Sequence, residues 1–269
     1  MNENQYRKRW LRQHAQYEKI AYKELIKGFK DLGNSIPFEF LTEDNYELLL
    51  EGFFKQDMFF NIYYNIYNKV GRIHGERVGK SINKQIKEFT LSSFLSTFDK
   101  NLLSWLFDNV TERVVTVRKT YLDTLKEIIT FGINDGKTMS QIATELKKKV
   151  NQRGFYRWQA LRIARTETTG ASNYASMQAS DSSGLVMDKV WISAVDNRTR
   201  KPPKSEFNHL KMNGVRIPKN EYFEVPFNGK VEKVMFAGDP KASAGNVINC
   251  RCGNALVPRR DKNGRLVFA

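Results

Sequence analysis

Between Pro37 and Pro202 the chain contains no proline. Proline removes a backbone donor and clashes with the preceding helical turn, so an interval this long without it leaves helix open throughout. Within it, Leu103, Leu106, Val110, Val114, Val117, Tyr121, Leu125 and Ile128 recur at steps of three and four. That spacing predicts one helix of about thirty residues, about 45 Å long, ending at Gly132 to Gly136. Thr138 and Gln141 then form a capping-box pattern for a shorter helix over Ser140 to Val150, with Ile142, Leu146 and Val150 as its buried stripe.

The rest of the chain is read around that interval. Residues 5 to 30 place Trp10, His14, Tyr17, Ala21 and Leu25 on one helical face, and Asp31 to Pro37 form a break. A second helix is expected to start at Thr42. The aromatics Phe60, Tyr63, Tyr64 and Tyr67 share a helical face and read as a packed core or subunit contact rather than a base-stacking platform. Gly71, Gly75 and Gly79 read as a break around His74, a lone histidine. A further helix over Phe155 to Ser180 is rich in alanine and serine, which lets another element approach closely.

Six of the seven prolines lie beyond residue 200, and there the pattern changes to short alternating runs. Val190 to Ile192, Tyr222 to Val225, Val231 to Phe236 and Ala255 to Val257 read as strands separated by Gly, Asn and Pro turns. The fold class expected is α+β: a helical region over 1–150 for docking and assembly, then a small basic α+β module over 151–269.

Charge is as uneven as structure. Lys and Arg outnumber Asp and Glu 44 to 29, and residues 151–269 carry 20 bases against 10 acids, about two thirds of the net +15. A polyanion such as nucleic acid is the natural neighbour of that field. Arg251, Arg259, Arg260, Lys262 and Arg265, near the chain end, are the candidate phosphate contacts. The polar run Asn2 to Gln5 after Met1 does not resemble a secretory signal, and no window is apolar enough to span a membrane, so a cytosolic start is expected.

Both cysteines lie in Asn249-Cys250-Arg251-Cys252. A ring closed by Cys-x-Cys would strain a disulfide, so two readings are open. Cys250 and Cys252 bind a zinc ion with His209 as third ligand and Asp196 as a guess for the fourth, or they are two small, half-buried residues at a strand end. Arg165 and Glu167, two apart on a helix, cannot reach each other and are expected to tie that helix to the β module separately. Asp196 suits a turn in which its carboxylate accepts backbone N–H groups. Gly238-Asp239-Pro240 is a turn in which glycine supplies the unusual backbone angles.

Taken in order, Arg165-Thr166-Glu167 with Asn173, Trp191, Asp196-Asn197-Arg198-Thr199-Arg200, His209, Gly214, Gly238-Asp239-Pro240 and Asn249-Cys250-Arg251-Cys252 resemble the Mu F-like head morphogenesis family of tailed phages. The resemblance covers residues 157 to 257. The sequence departs from the family pattern in the eight residues Lys201 to Asn208 ahead of His209. The resemblance implies a non-enzymatic minor head protein with the portal protein, coat or scaffolding protein and packaged double-stranded DNA as partners. Its location would be the host cytoplasm during assembly and then the virion head. It names no catalytic residue and no cofactor.

Two other classes compete with this reading. Toxin modules joined to such domains raise an ADP-ribosyltransferase or a nuclease, but the Glu-x-Glu pair of arginine-directed transferases is missing, Glu221 and Glu224 being one residue too far apart. A metal nuclease needs clustered histidines or carboxylates, and the three histidines are far apart in sequence. A sequence-independent DNA-binding protein is the third class; no helix-turn-helix or zinc-finger spacing supports a specific one.

Overall fold

A computed structural model describes residues 2–86, 90–152, 154 and 156–269. Most of the proline-free interval is helical, and the first strand lies near its end, as expected. The helices are α1 (Glu3–Asn34), α2 (Tyr46–Phe53), α3 (Gln56–Ile86), α4 (Leu91–Asn134), α5 (Met139–Asn151), α6 (Arg157–Asp181) and the single turn α7 (Ala244–Val247). The strands are β1 (Met187–Ile192), β2 (Arg216–Pro218), β3 (Phe223–Phe227), β4 (Lys230–Val234) and β5 (Gly253–Pro258). This is an α+β protein, and among the described residues no helix is long and apolar enough to cross a membrane.

Several expectations need correction. The periodic helix is longer than its clearest repeat: α4 has 44 residues, because Phe94, Phe98 and Leu102 extend the buried stripe upstream. The glycines around His74 do not break the chain, since α3 runs straight through them. A Cβ on Gly75 would lie 2.1 Å from Phe94 Cζ, and one on Gly71 2.4 Å from Phe98 Cζ. These glycines let α4 pack directly on the α3 backbone.

Thr42 to Asn45 is a turn rather than the first turn of α2, with the Asn45 side chain accepting the Thr42 N–H at 2.8 Å. The capping box of α5 forms as read, Thr138 and Gln141 each bonding the other's backbone. Of the helix expected from Phe155, that residue itself lies outside the described ones and α6 starts at Arg157. Strand β2, three residues long, was too short to show an alternation.

From Thr166 to Met177 every residue of α6 is buried. It lies against α1 and α3, touches α4, and contacts β5 on its remaining side. Ala160, Ala164, Ala171, Ala175 and Ala179 fill its aliphatic contacts with minimal bulk, so large side chains from the neighbours, Tyr63, Tyr67 and Phe98 among them, reach its backbone. A helix buried on all sides has no apolar stripe, and its buried polar side chains need partners inside. Thr166, Glu167, Thr169, Asn173 and Ser176 find them, whereas the hydroxyls of Thr168, Ser172, Tyr174 and Ser180 have no hydrogen-bond partner among the described residues.

Beyond α6 the chain forms a three-stranded antiparallel sheet in the order β2-β1-β5 and a separate β3-β4 hairpin. In the β1–β5 register Trp191 faces Asn254 and Ile192 faces Gly253. That register brings the Asn249 to Cys252 segment beside α6. Trp191, Phe207, Met212, Phe223, Val225, Val234 and both cysteines make a second core between sheet and hairpin.

Candidate functional site

The backbone of residues 249–254 is held from both sides by side chains of α6 and α1. From α6, the Thr166 hydroxyl accepts the Asn249 N–H at 3.0 Å, and Thr169 donates to the Cys250 carbonyl. Asn173 donates to the Cys252 carbonyl at 3.3 Å and to the Ala237 carbonyl at 2.7 Å, while its own carbonyl accepts the Asn254 N–H at 3.0 Å. From α1, the Trp10 indole donates to the Arg251 carbonyl at 2.8 Å and Tyr6 to that of Asn254 at 2.9 Å. A Cβ on Gly253 would sit 2.6 Å from the Trp10 ring, so only glycine lets the indole lie there. Asn249 opens the segment at φ 59°, the left-handed region that asparagine tolerates better than most residues.

Thr169 also bonds His14 Nε2 at 2.8 Å. Its one hydroxyl proton goes to the Cys250 carbonyl, so the histidine nitrogen is the donor. Burial pushes the His14 imidazole down to about 4 and the His74 imidazole down to about 3. His74 is not partnerless: it meets Ser176 Oγ at 2.9 Å and Tyr17 Oη at 3.3 Å.

Arg165 and Glu167 do bond separately, but to the helical bundle rather than to the β module. Arg165 Nε donates to Glu18 of α1 at 2.7 Å. Buried Glu167 accepts from Tyr67 at 2.8 Å and from Arg113 Nη1 at 3.2 and 3.3 Å. The same guanidinium donates to the Asp239 carbonyl at 3.1 Å, so the β module is reached through Arg113. Within its own turn Asp239 accepts the Met235 and Lys241 N–H groups at 2.8 and 3.0 Å. Gly238 stands at φ 79°, and a Cβ there would lie 2.7 Å from Thr169 Cγ2.

Asp196 forms the expected turn, accepting the Arg198 N–H at 3.0 Å and bonding the Thr199 hydroxyl. Its other oxygen takes the Arg251 guanidinium. Burial pushes the Asp196 carboxyl up, but Arg251 and the Arg198 N–H outweigh it and hold the group below its ordinary value. Arg200 donates to the Gly245 carbonyl at 2.7 Å and to that of Ile248, which ties this loop to α7. Gly214, at φ 81°, gives its N–H to the Trp191 carbonyl at 2.9 Å.

Cys250 and Cys252 are both free and fully buried, not half-buried. Nδ1 of His209 lies 3.6 Å from each sulfur. The Cys252 thiol beside it holds Cys250 well below the usual thiol range, and that same contact together with burial pushes Cys252 well above it. Asp196, the guess for a fourth ligand, is not in this group, since its carboxylate is engaged by Arg251 on the surface loop.

Of the candidate phosphate contacts, Arg251 is set apart by its pairing with Asp196, and Arg259 pairs with Asp188. Arg260, Lys262 and Arg265 are exposed on a terminal hairpin closed by the Arg260–Leu266 bridge.

Sequence reasoning missed Tyr6, Trp10, Tyr67, Arg113, Thr169 and Asn246. Thr169 had a signal: Thr166, Thr169 and Asn173 recur at three and four residues, a polar stripe on one helical face. The others come from distant elements and carried none.

No solved structure matches the chain significantly. The uncharacterized protein YqbB of Bacillus subtilis (strain 168) is 27% identical over 150 residues, 56% of this chain and 46% of that protein, so the chain spans about half the length of this relative. Residues 123–255, from the last turns of α4 through α6 to the first residues of β5, match the model of the family described as phage Mu protein F like protein.

Proposed function

We propose that the protein is a minor head protein of a tailed phage, built into the procapsid beside the portal and acting without catalysis. The family match over residues 123–255 carries this reading. It is supported by how the motif residues are used: Thr166, Glu167, Asn173, Asp239 and Arg200 spend their polar atoms on holding backbone and neighbouring helices. The helical region is the docking surface in this reading, with portal, coat or scaffolding protein as partner. The host cytoplasm is the place of assembly and the head the final location. On the outer face of α4, Leu103 and Phe107 lie one turn apart and are 56% and 67% exposed, an apolar pair available to a partner. Arg260, Lys262 and Arg265 on the terminal hairpin face packaged DNA without reading its sequence.

Removing residues 1–100 would strip α1 and α3 from α6 and report on folding, not on docking. Leu103→Glu with Phe107→Glu alters only exposed positions. Sedimentation with procapsids should show wild-type protein in the head fraction and the double variant reduced at least several-fold, with an unchanged melting temperature. Normal incorporation of the variant would remove this face of α4 from the docking surface. Absence of the wild-type protein from procapsids and virions alike, by mass-spectrometric inventory, would overturn the head assignment itself.

A further inference from the structure

His209 comes from the loop between β1 and β2 and the two cysteines from the segment before β5, 41 and 43 residues away, yet their ligand atoms all lie within 4.8 Å of one another. Nδ1 stands at 3.6 Å from both sulfurs. Tetrahedral zinc, with thiolates at about 2.3 Å and imidazole nitrogen at about 2.0–2.1 Å, places its sulfur and nitrogen ligands about 3.6 Å apart. A single S–H···N hydrogen bond explains one sulfur at that distance. Two equidistant sulfurs are what a shared ion requires.

The orientation of the imidazole is set from behind. Glu232 is an acceptor only, so it fixes the Asn246 side chain with its amide nitrogen toward the carboxylate, at 2.6 Å. The Asn246 carbonyl therefore faces His209 Nε2, 2.7 Å away, and takes the N–H. That leaves the lone pair on Nδ1, directed at the sulfurs. Glu232 is itself anchored by the Ser243 N–H and hydroxyl at 2.8 and 3.1 Å. A histidine whose second nitrogen is committed to a carbonyl is the usual outer-shell arrangement of a metal ligand.

Charge and surroundings agree with this. All three residues are buried, and two thiolates cancel the charge of a divalent ion, so the bound site is neutral and burial carries no net ionic penalty. The Trp191 ring meets His209 edge-on at 5.4 Å, and its buried indole N–H is a donor to the Cys252 sulfur, where a thiolate would accept it.

We propose that His209 Nδ1, Cys250 Sγ and Cys252 Sγ bind one zinc ion. Binding forms two sulfur–metal bonds and one nitrogen–metal bond and releases the two thiol protons to solvent. The ion staples the β1–β2 loop to the start of β5, closing the second core around Trp191 and Phe223.

The test uses the full chain, expressed with zinc and purified without chelator. Elemental analysis should find about one zinc per chain. The stripped wild-type protein should take up about one equivalent of cobalt(II), with tetrahedral visible bands and a thiolate-to-cobalt absorption in the near ultraviolet that zinc abolishes. Cys250→Ser with Cys252→Ser should lose both metals. Asn246→Leu keeps all three ligands but frees Nε2, and should weaken zinc affinity by about tenfold or more. Metal-free wild-type protein with no cobalt spectrum would overturn the proposal, as would zinc retained in full by the folded double-cysteine or His209→Ala variant. If the variants do not fold, the wild-type cobalt spectrum decides alone: sulfur absorption upholds the site, and its absence removes it.

Discussion

Arg113 of α4 and Glu167 of α6 form a buried ion pair, Nη1 to Oε1 3.2 Å, and the second guanidinium nitrogen donates to the Asp239 carbonyl at 3.1 Å. One side chain thereby joins the bundle, its central helix and the Gly238-Asp239-Pro240 turn. Removing one partner of a buried pair leaves the other charge unpaired. Arg113→Met should lower stability by about 3–5 kcal/mol. Glu167→Gln still accepts from Tyr67 but leaves the Arg113 guanidinium without its counter-charge, and should also destabilise. Urea unfolding measures both, and a cost for Arg113→Met within the range of surface substitutions would show that the pair does not hold the segments together.

Asn173 uses its amide for three main-chain partners, at Ala237, Cys252 and Asn254. Asn173→Leu fits the volume roughly but orphans those groups, each worth about 1–3 kcal/mol when buried and unpaired. A loss of about 3 kcal/mol or more is expected, with hydrogen exchange accelerated first at the Asn254 amide. Unchanged protection there would mean that this amide is held by other contacts.

Glycines at different places should respond oppositely to alanine. At Gly75 the added Cβ meets Phe94 Cζ at 2.1 Å, so overpacking of about 1–3 kcal/mol outweighs the gain of up to about 1 kcal/mol in helix propensity. At Gly52 in α2 nothing lies within 4 Å, and Gly52→Ala should stabilise by about 0.5–1 kcal/mol. Thermal unfolding of the two single variants checks the signs; a stabilising Gly75→Ala would mean that α4 can shift off α3.

His14 and His74 are neutral when folded, their values pushed from 6.5 to about 4 and about 3 by burial, with Arg77 and Arg9 around His74 and Arg165 and Arg251 around His14 adding to it. Below pH 6.5 the unfolded chain takes up protons that the folded one refuses. Stability is therefore full above that pH and falls as the pH drops toward the folded values, by up to about 1.4 kcal/mol per pH unit for each ring. Denaturation between pH 7 and 5 should show this slope, reduced by about half in His74→Gln. An identical slope in that variant would assign the acid sensitivity to other groups.

Binding of the terminal hairpin to duplex DNA should be independent of sequence and weaken steeply with salt, each neutralised phosphate adding about 0.9 to the log–log slope. Replacing Arg260, Lys262 and Arg265 together by Gln should lower that slope by about 2–3. Arg251→Gln should leave it almost unchanged, because that guanidinium is engaged with Asp196. Binding that is absent at low salt, or unaltered at high salt, would remove DNA from the list of partners.

Local information determined a good part of this molecule. The α4 repeat, the Thr138–Gln141 capping box, the Asp196 turn and the left-handed Gly238 were legible because each depends on residues within one or two turns of chain. Four of the five strands showed themselves through alternation and turn residues. The approach of His209 to the two cysteines was a guess about a fold-back, and only the tertiary structure decided which of the proposed ligands meet: His209 does, and Asp196 is turned away by Arg251. The glycines of α3 read as a break because the sequence displays their flexibility but not the phenyl rings of α4 that require their missing side chains. The role of α6 was the least legible of all. A helix buried on every side has no apolar stripe, and its partners, His14 and Glu18 from one end of the chain and Asn249 to Asn254 from the other, are brought together only when the bundle and the β module close around it.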